Sequence, residues 1–210
     1  MKNFLAIDTS NDYMSVVAMK EGVATTAFLP DCAMRHSVAL METVDDVLSR
    51  AQMRVEDCDF FAAAVGAGSF TGIRIGISAA KGFALATGKP TLGVTSFDVA
   101  AYNAVGGTPK KILCLINALH DHYYACGYEN GKVILPPAFL AEEEVLSFAA
   151  QGFSFRACGE LPLSAKAAVE IVSPVEGLKN AVLAKSENGA FGELVALYVR
   201  KSSAEINLCK

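Results

Sequence analysis

The chain has 210 residues, 52% of them hydrophobic and 19% charged, with a formal net charge of −4. That length buries a proper core as one large domain or two small ones, and the composition excludes a disordered chain while leaving room for partly apolar surfaces. The negative balance provides no global field for gripping nucleic acid unaided.

In chain order, Phe4 to Asp8, Tyr13 to Met19 and Val23 to Leu29 read as strands, the last two joined by the hairpin signal Lys20-Glu-Gly22. A helix is expected from about His36 to Met53. The apolar run Phe60 to Val65 is a strand that leads into Gly66-Ala-Gly-Ser-Phe-Thr-Gly-Ile-Arg-Ile-Gly76. This run predicts strand, tight turn and helix, the helix lasting to about Thr87 and stopped by Gly88-Lys-Pro90. Thr91 to Val94 is a short strand, and Ser96 is expected to cap a helix to about Val105. Gly106-Gly-Thr-Pro109 is the clearest linker. Beyond it, Leu140 to Ala150 is expected to be a helix with Glu142-Glu-Glu144 in its first turn. Ser154 to Cys158 is expected to be a strand, and Gly189 onward runs into Leu194 to Arg200 and a polar tail.

An offset of 109 residues places Ile7-Asp8 on Ile116-Asn117 and Gly22 on Gly131, and matches Val16-Val-Ala-Met to Ala125-Cys-Gly-Tyr without a gap. The repeat predicts a duplicated α/β fold with halves at 1–105 and 106–210. The chain enters a strand at once, without a signal-peptide apolar region, and its longest uncharged stretch, Phe60 to Ile73, is too short and glycine-rich to span a bilayer. The cysteines at 32, 58, 114, 126, 158 and 209 show neither CxxC nor metal-ligand spacing. A soluble cytoplasmic protein is expected.

The glycine-rich segment leaves two readings open. Glycine inside a helix costs about 1 kcal/mol relative to alanine, so several of them require a reason. Either something packs very close to this helix or the turn holds a phosphate. The segment is not a Walker loop, because no lysine follows at the required place. It is not a dinucleotide fingerprint either, because Thr71 occupies the third glycine position. Close packing is the favoured reading. Asp8 sits where a nucleotide-binding fold would place a metal-orienting carboxylate, but Thr9 and Ser10 follow it where a phosphate loop would have glycine. A strand-end carboxylate bonded to Ser10 or a backbone amide is the preferred reading. His120 and His122 lack a completing cluster and read as solvated turn residues, and His36 as a capping or interface residue. No catalytic residue, cofactor site or metal site is expected.

Met41, Val44, Leu48 and Ala51 form one apolar stripe on the first helix, and Leu40, Val44, Val47 and Ala51 a neighbouring one. With Val38 the arc is wider than one core face needs. The glycine-rich helix shows a similar excess beside a narrow polar stripe of Arg74, Ser78 and Lys81. Two neighbouring helices with surplus apolar surface mark either a protein–protein contact or burial between a sheet and a neighbour.

Leu5-Ala-Ile-Asp-Thr-Ser10, His36-Ser37 with Leu40, the long glycine motif, and Leu197-Tyr-Val-Arg-Lys-Ser-x-Ala-Glu205 together resemble the TsaB (YeaZ) family. This is the accessory subunit of bacterial tRNA threonylcarbamoyladenosine synthesis. The resemblance implies the duplicated fold of actin, sugar kinases and heat-shock ATPases (ASKHA). It also implies a non-catalytic scaffold that pairs with a TsaD-type catalytic subunit, joined by a TsaE-type ATPase. That assembly modifies adenosine 37 of tRNAs reading ANN codons, with tRNA met only through the complex and no membrane involved. The family contact with TsaD uses the two N-terminal helices, which here carry His36, Leu40, Val44, Val47, Phe70, Arg74 and Ser78. A homodimer through the same helices is a further expectation, and an ATP-using transferase or metallopeptidase-like enzyme is the competing class. Ala67, Asn117 and Ala196 depart from the proline, aspartate and proline common in the family; Ala67 loosens the turn and Asn117 removes a carboxylate.

Overall fold

A computed structural model describes residues 2–102 and 111–200, so the expected linker Gly106 to Pro109 and the polar tail from Lys201 lie outside the described residues. The first half runs β1 (Phe4–Asp8), β2 (Met14–Lys20), β3 (Val23–Leu29), α1 (His36–Arg50), β4 (Phe60–Ala64), α2 (Phe70–Thr87), β5 (Thr91–Val94) and α3 (Ser96–Ala101). The second runs β6 (Lys111–Asn117), β7 (His122–Glu129), β8 (Lys132–Ala141), α4 (Glu142–Ser147), β9 (Ser154–Ala157), β10 (Val169–Ile171) and α5 (Pro174–Glu187).

The strands form two five-stranded mixed sheets, β3-β2-β1-β4-β5 and β8-β7-β6-β9-β10. In each, three antiparallel strands from a meander adjoin two strands running parallel to the first. The duplicated α/β architecture expected from the repeat is the architecture observed. Its hairpin turns also coincide: Glu21-Gly22 has φ of 51° and 88°, and Asn130-Gly131 has 50° and 75°. These values suit a two-residue turn with both central residues left-handed.

The gap-free match inside the repeat is off by one residue. Ile7 lies opposite Val16, but Ile116 lies opposite Tyr124 rather than Ala125. The loop after β6 is one residue shorter than the loop after β1, so the strand reaches its turn with a shifted register, and such a slip exchanges sheet faces.

β1 and β4 are buried along their whole lengths. Leu5, Ile7, Phe61 and Ala63 point into the core under α1 and α2, whereas Phe4, Ala6, Phe60 and Ala62 point to the opposite face. That second face is covered by Val175, Leu178, Ala181 and Val182 of α5, which crosses back from the second half.

Three sequence expectations shift. The first helix ends at Arg50 rather than Met53, because Gln52 turns left-handed at φ 51° and the Met53 amide returns to the Leu48 carbonyl. Thr95, not Ser96, caps α3: its hydroxyl accepts from the Asp98 amide while Asp98 accepts from the Thr95 amide. Leu140 belongs to β8, and the helix after it covers only Glu142–Ser147. α5 was not anticipated.

The glycines of α2 are not equivalent. A Cβ on Gly72 would lie 2.0 Å from the Thr9 carbonyl oxygen, whereas one on Gly82 would meet nothing within 4 Å. Overpacking costs typically 1–3 kcal/mol, and a backbone oxygen cannot step aside as a side chain does. Gly72→Ala is therefore expected to lower unfolding free energy by about 3 kcal/mol or more, and Gly82→Ala to raise it by about 0.4–1 kcal/mol. Urea denaturation of both variants checks the contrast, and equal effects would remove the distinction.

Candidate functional site

The turn from β4 into α2 contains Gly66 at φ 111° and Gly68 at φ 149°, conformations that L side chains rarely adopt. The Ser69 amide donates to the Ser10 carbonyl at 2.6 Å, and the Ser69 hydroxyl caps the helix by accepting from the Gly72 amide. Thr9 Oγ1 donates to the Gly72 carbonyl at 2.7 Å, and Ser96 donates its amide to Gly66 and its hydroxyl to Ala67. A Cβ on Gly68 would lie 2.0 Å from the Ser10 oxygen. The turn after β1 thus packs directly on Gly68 and Gly72, the close packing that the glycines of this segment were expected to permit.

Between the two halves lies a cleft of about 360 Å³, walled by the loops after β1, β6 and β9 and by Gly68 and Ser69. Among the described residues, Asp12 and Glu160 line it and no Lys or Arg does. A polyphosphate placed here meets two carboxylates and, among the described lining residues, no cation, an unfavourable electrostatic arrangement.

Asp8 does not face this cleft. It is fully buried, accepts from the Ser10 amide at 2.8 Å and the Ser10 hydroxyl at 2.6 Å through Oδ1, and from Tyr13 through Oδ2. Burial raises its carboxyl above the ordinary 3.8, while the bonds from Ser10 and Tyr13 oppose the rise. Its repeat partner Asn117 makes the equivalent turn, with Oδ1 accepting from the Leu119 amide at 2.8 Å. This is the strand-end role preferred for Asp8 from sequence.

His122 Nδ1 lies 2.6 Å from the His120 carbonyl, and its ring stacks on Phe139. Among the described residues no three His, Cys, Asp or Glu side chains are grouped to hold a metal. Cys158 borders the cleft, and burial pushes its thiol well up.

The two N-terminal helices present a different face from the one expected. Leu40, Val44 and Val47 are buried in the core between α1 and the first sheet, and His36 is buried with Nε2 3.0 Å from the Tyr13 carbonyl. These four support α1 from beneath and offer no open surface. The outward apolar residues of α1 are Val38 and Met41, 79% and 48% exposed, with Met34 exposed just before the helix. On α2, Phe70, Arg74 and Ser78 are exposed as expected, and with Ser37, Thr71 and Ile75 they line a shallow groove between the helices.

Tyr198 completes this face, a contribution not anticipated. The Leu197 amide donates to the Val65 carbonyl at 2.7 Å, which lays the C-terminal segment beside the turn. Tyr198 stacks on Phe70 at 4.6 Å and accepts from Arg74 Nε at 2.8 Å.

A family model described as TsaD, tRNA N6-adenosine threonylcarbamoyltransferase, matches residues 23–204. The tRNA threonylcarbamoyladenosine biosynthesis protein TsaB of Escherichia coli (strain K12) is 34% identical over 151 residues, covering 66% of this chain and 64% of that protein. The protein of the same name from Buchnera aphidicola subsp. Schizaphis graminum is 32% identical over 132 residues, 62% of each chain. The chain thus spans less than two thirds of the length of these relatives. Among solved structures, YeaZ from Pseudomonas aeruginosa has a TM-score of 0.79 at 25% identity, covering 94% of this chain and 100% of that one.

The buried Asp8 carboxyl yields a pH test. In the unfolded chain it ionises above about 3.8, while the folded protein resists ionisation until a higher pH, so stability falls as pH rises through that window. Asp8→Asn keeps the Oδ1 acceptor that Asn117 already uses and removes the charge. It is expected to be at least as stable as the parent at pH 7, with the advantage vanishing in acid below the ordinary carboxyl value. Urea unfolding at pH 3.5 and pH 7 reads this, and a variant that is less stable only at pH 7 would contradict it.

Proposed function

The chain belongs to the TsaD family, as one of its TsaB/YeaZ members, and from that premise we propose that it serves tRNA threonylcarbamoyladenosine formation as a non-catalytic scaffold. In this reading it docks and activates a TsaD-type catalytic subunit, a TsaE-type ATPase joins the pair, and the product forms at adenosine 37 of tRNAs reading ANN codons. tRNA is met only through the complex, in the cytoplasm, and the halves 1–105 and 106–210 are its two related subdomains.

The observation that supports this reading is the exposed face of α1 and α2. α1 exposes Val38 and Met41, and between α1 and α2 lies a groove lined by Phe70, Arg74 and Ser78, so the two helices show apolar, aromatic and cationic groups to solvent. Such a composition is that of a protein interface. Phe70, Arg74 and Ser78 are retained from the sequence expectation; Ser37, Val38 and Met41 replace the four buried residues of α1. The competing enzyme reading is disfavoured by the acidic cleft and by the engagement of Asp8 within its own turn.

Reconstitution tests the role. tRNA modification by the cognate TsaD-type and TsaE-type subunits is expected to depend on this chain, and ATP turnover by the chain alone would overturn the scaffold reading. Val38→Glu and Ser78→Glu, both at exposed positions, are expected to abolish co-purification with the TsaD-type subunit while leaving the far-ultraviolet circular dichroism unchanged. Normal pairing by both variants would show that the wrong face was chosen.

A further inference from the structure

Arg74 is held in place before any partner arrives. Its Nε donates to the Tyr198 hydroxyl at 2.8 Å, and its guanidinium carbon lies 3.8 Å from the centre of the Phe70 ring. Phe70 and Tyr198 are themselves stacked, so the guanidinium rests on a packed aromatic pair rather than on a flexible stem. No ion pair or hydrogen bond among the described residues engages its two terminal nitrogens. Among the described residues, the groove they border is lined by Ser37, Thr71, Ser78 and Ile75, with no carboxylate and no second cation.

We infer that Arg74 is a preorganised carboxylate receptor, and that the protein docking on α1 and α2 inserts an Asp or Glu side chain into this groove. The inference rests on the docking role proposed above and names its chemistry. A guanidinium whose two terminal donors meet no other described residue matches a carboxylate in a two-bond fork. The hydroxyls of Ser37, Thr71 and Ser78 add further donors around the same space. The occupant is a protein carboxylate rather than a nucleic-acid backbone for two reasons. The one cation among the described lining residues, in a chain of net charge −4, cannot neutralise a run of phosphates. α1, which contributes Ser37 to the groove, also exposes Val38 and Met41, apolar side chains that a protein partner covers and a phosphate backbone does not. Because Tyr198 and Phe70 already fix the side chain, little conformational freedom is lost when the pair forms.

Binding of the intact chain to its cognate TsaD-type subunit, measured by calorimetry for the parent and three variants, tests this. Arg74→Ala is expected to weaken Kd by roughly thirty-fold or more, as truncating one partner of a buried charge pair does. Arg74→Lys is expected to recover little of that loss, since an ammonium is a point charge without the fork. Tyr198→Phe keeps the cation but frees its orientation, and is expected to weaken binding about three- to ten-fold. Parental affinity in Arg74→Lys would overturn the receptor while leaving the docking role standing. No binding by the parent chain would overturn both together. A second copy of this chain is the other occupant to separate, since α1 exposes Glu42 and Asp45. If Arg74→Ala lowers self-association in sedimentation but spares TsaD pairing, the groove belongs to that copy and the inference fails.

Discussion

The backbone of Thr9 and Ser10 lies directly on the glycine face of α2, and the rest of the first half is arranged around that contact. β1 and β4 are adjacent and parallel, so both leave the sheet at the same edge. The turn after β1 and the start of α2 therefore compete for one volume. A Cβ at Gly68 or Gly72 would sit 2.0 Å from a carbonyl oxygen of that turn, and one at Gly76 would sit 2.7 Å from Thr9 Oγ1. Only a helix stripped of side chains on this face lets the two segments coexist. Their polar groups then satisfy one another, through the Ser69 amide on Ser10 and the Thr9 hydroxyl on Gly72.

This arrangement also shapes the cleft between the halves. In a nucleotide-binding fold the loops after the first strand of each half stay open to phosphates. Here each loop closes on itself through a side-chain acceptor, Asp8 for Ser10 and Asn117 for Leu119. An aspartate and an asparagine make the same turn, so the turn requires an acceptor and not a charge. The Asp8 charge is a burden in its buried setting, as the upward displacement of its carboxyl by burial indicates. With Asp12 and Glu160 in the wall, the cleft shows carboxylates and, among the described residues, no cation for a phosphate.

The sequence made β1, β4, α2 and both hairpin turns legible because each rests on a local signal: an apolar run, a cap, or a glycine that must be left-handed. β8 escaped notice because Pro136 and Pro137 look like loop residues. On the edge of a sheet, prolines are tolerated where no ladder partner is needed on the outer side. α5 escaped although Ser173 caps it and Pro174 opens it, since its buried residues Val175, Gly177, Leu178, Ala181 and Val182 include two small ones and make a faint stripe. Its partner is a sheet from the other half, which no local window contains. On α1 the excess width of the apolar arc was legible, but not its phase. Val44 belongs to both candidate stripes, and only the sheet decides that Ala39, Leu40, Val44, Val47 and Leu48 turn inward, leaving Val38 and Met41 outside. The fit of Tyr198 against Phe70 joins residues far apart in sequence and carries no local signature.

Close packing and docking are two faces of the same helix rather than competing explanations of it. Gly72 and Gly76 lie two residues from Arg74 and Ser78, and two residues advance an α-helix by roughly 200°. The inner face is therefore glycine against backbone and the outer face guanidinium and hydroxyl against solvent. Backbone contact on the inside fixes α2 to the sheet without long side chains that repack, and the Phe70–Tyr198 stack fixes the outer arginine. A surface positioned this way presents its groups with their ordering entropy already lost in folding, which favours association without enlarging the contact area. The glycines thus bear on docking indirectly: they touch no partner, but they hold still the helix that does.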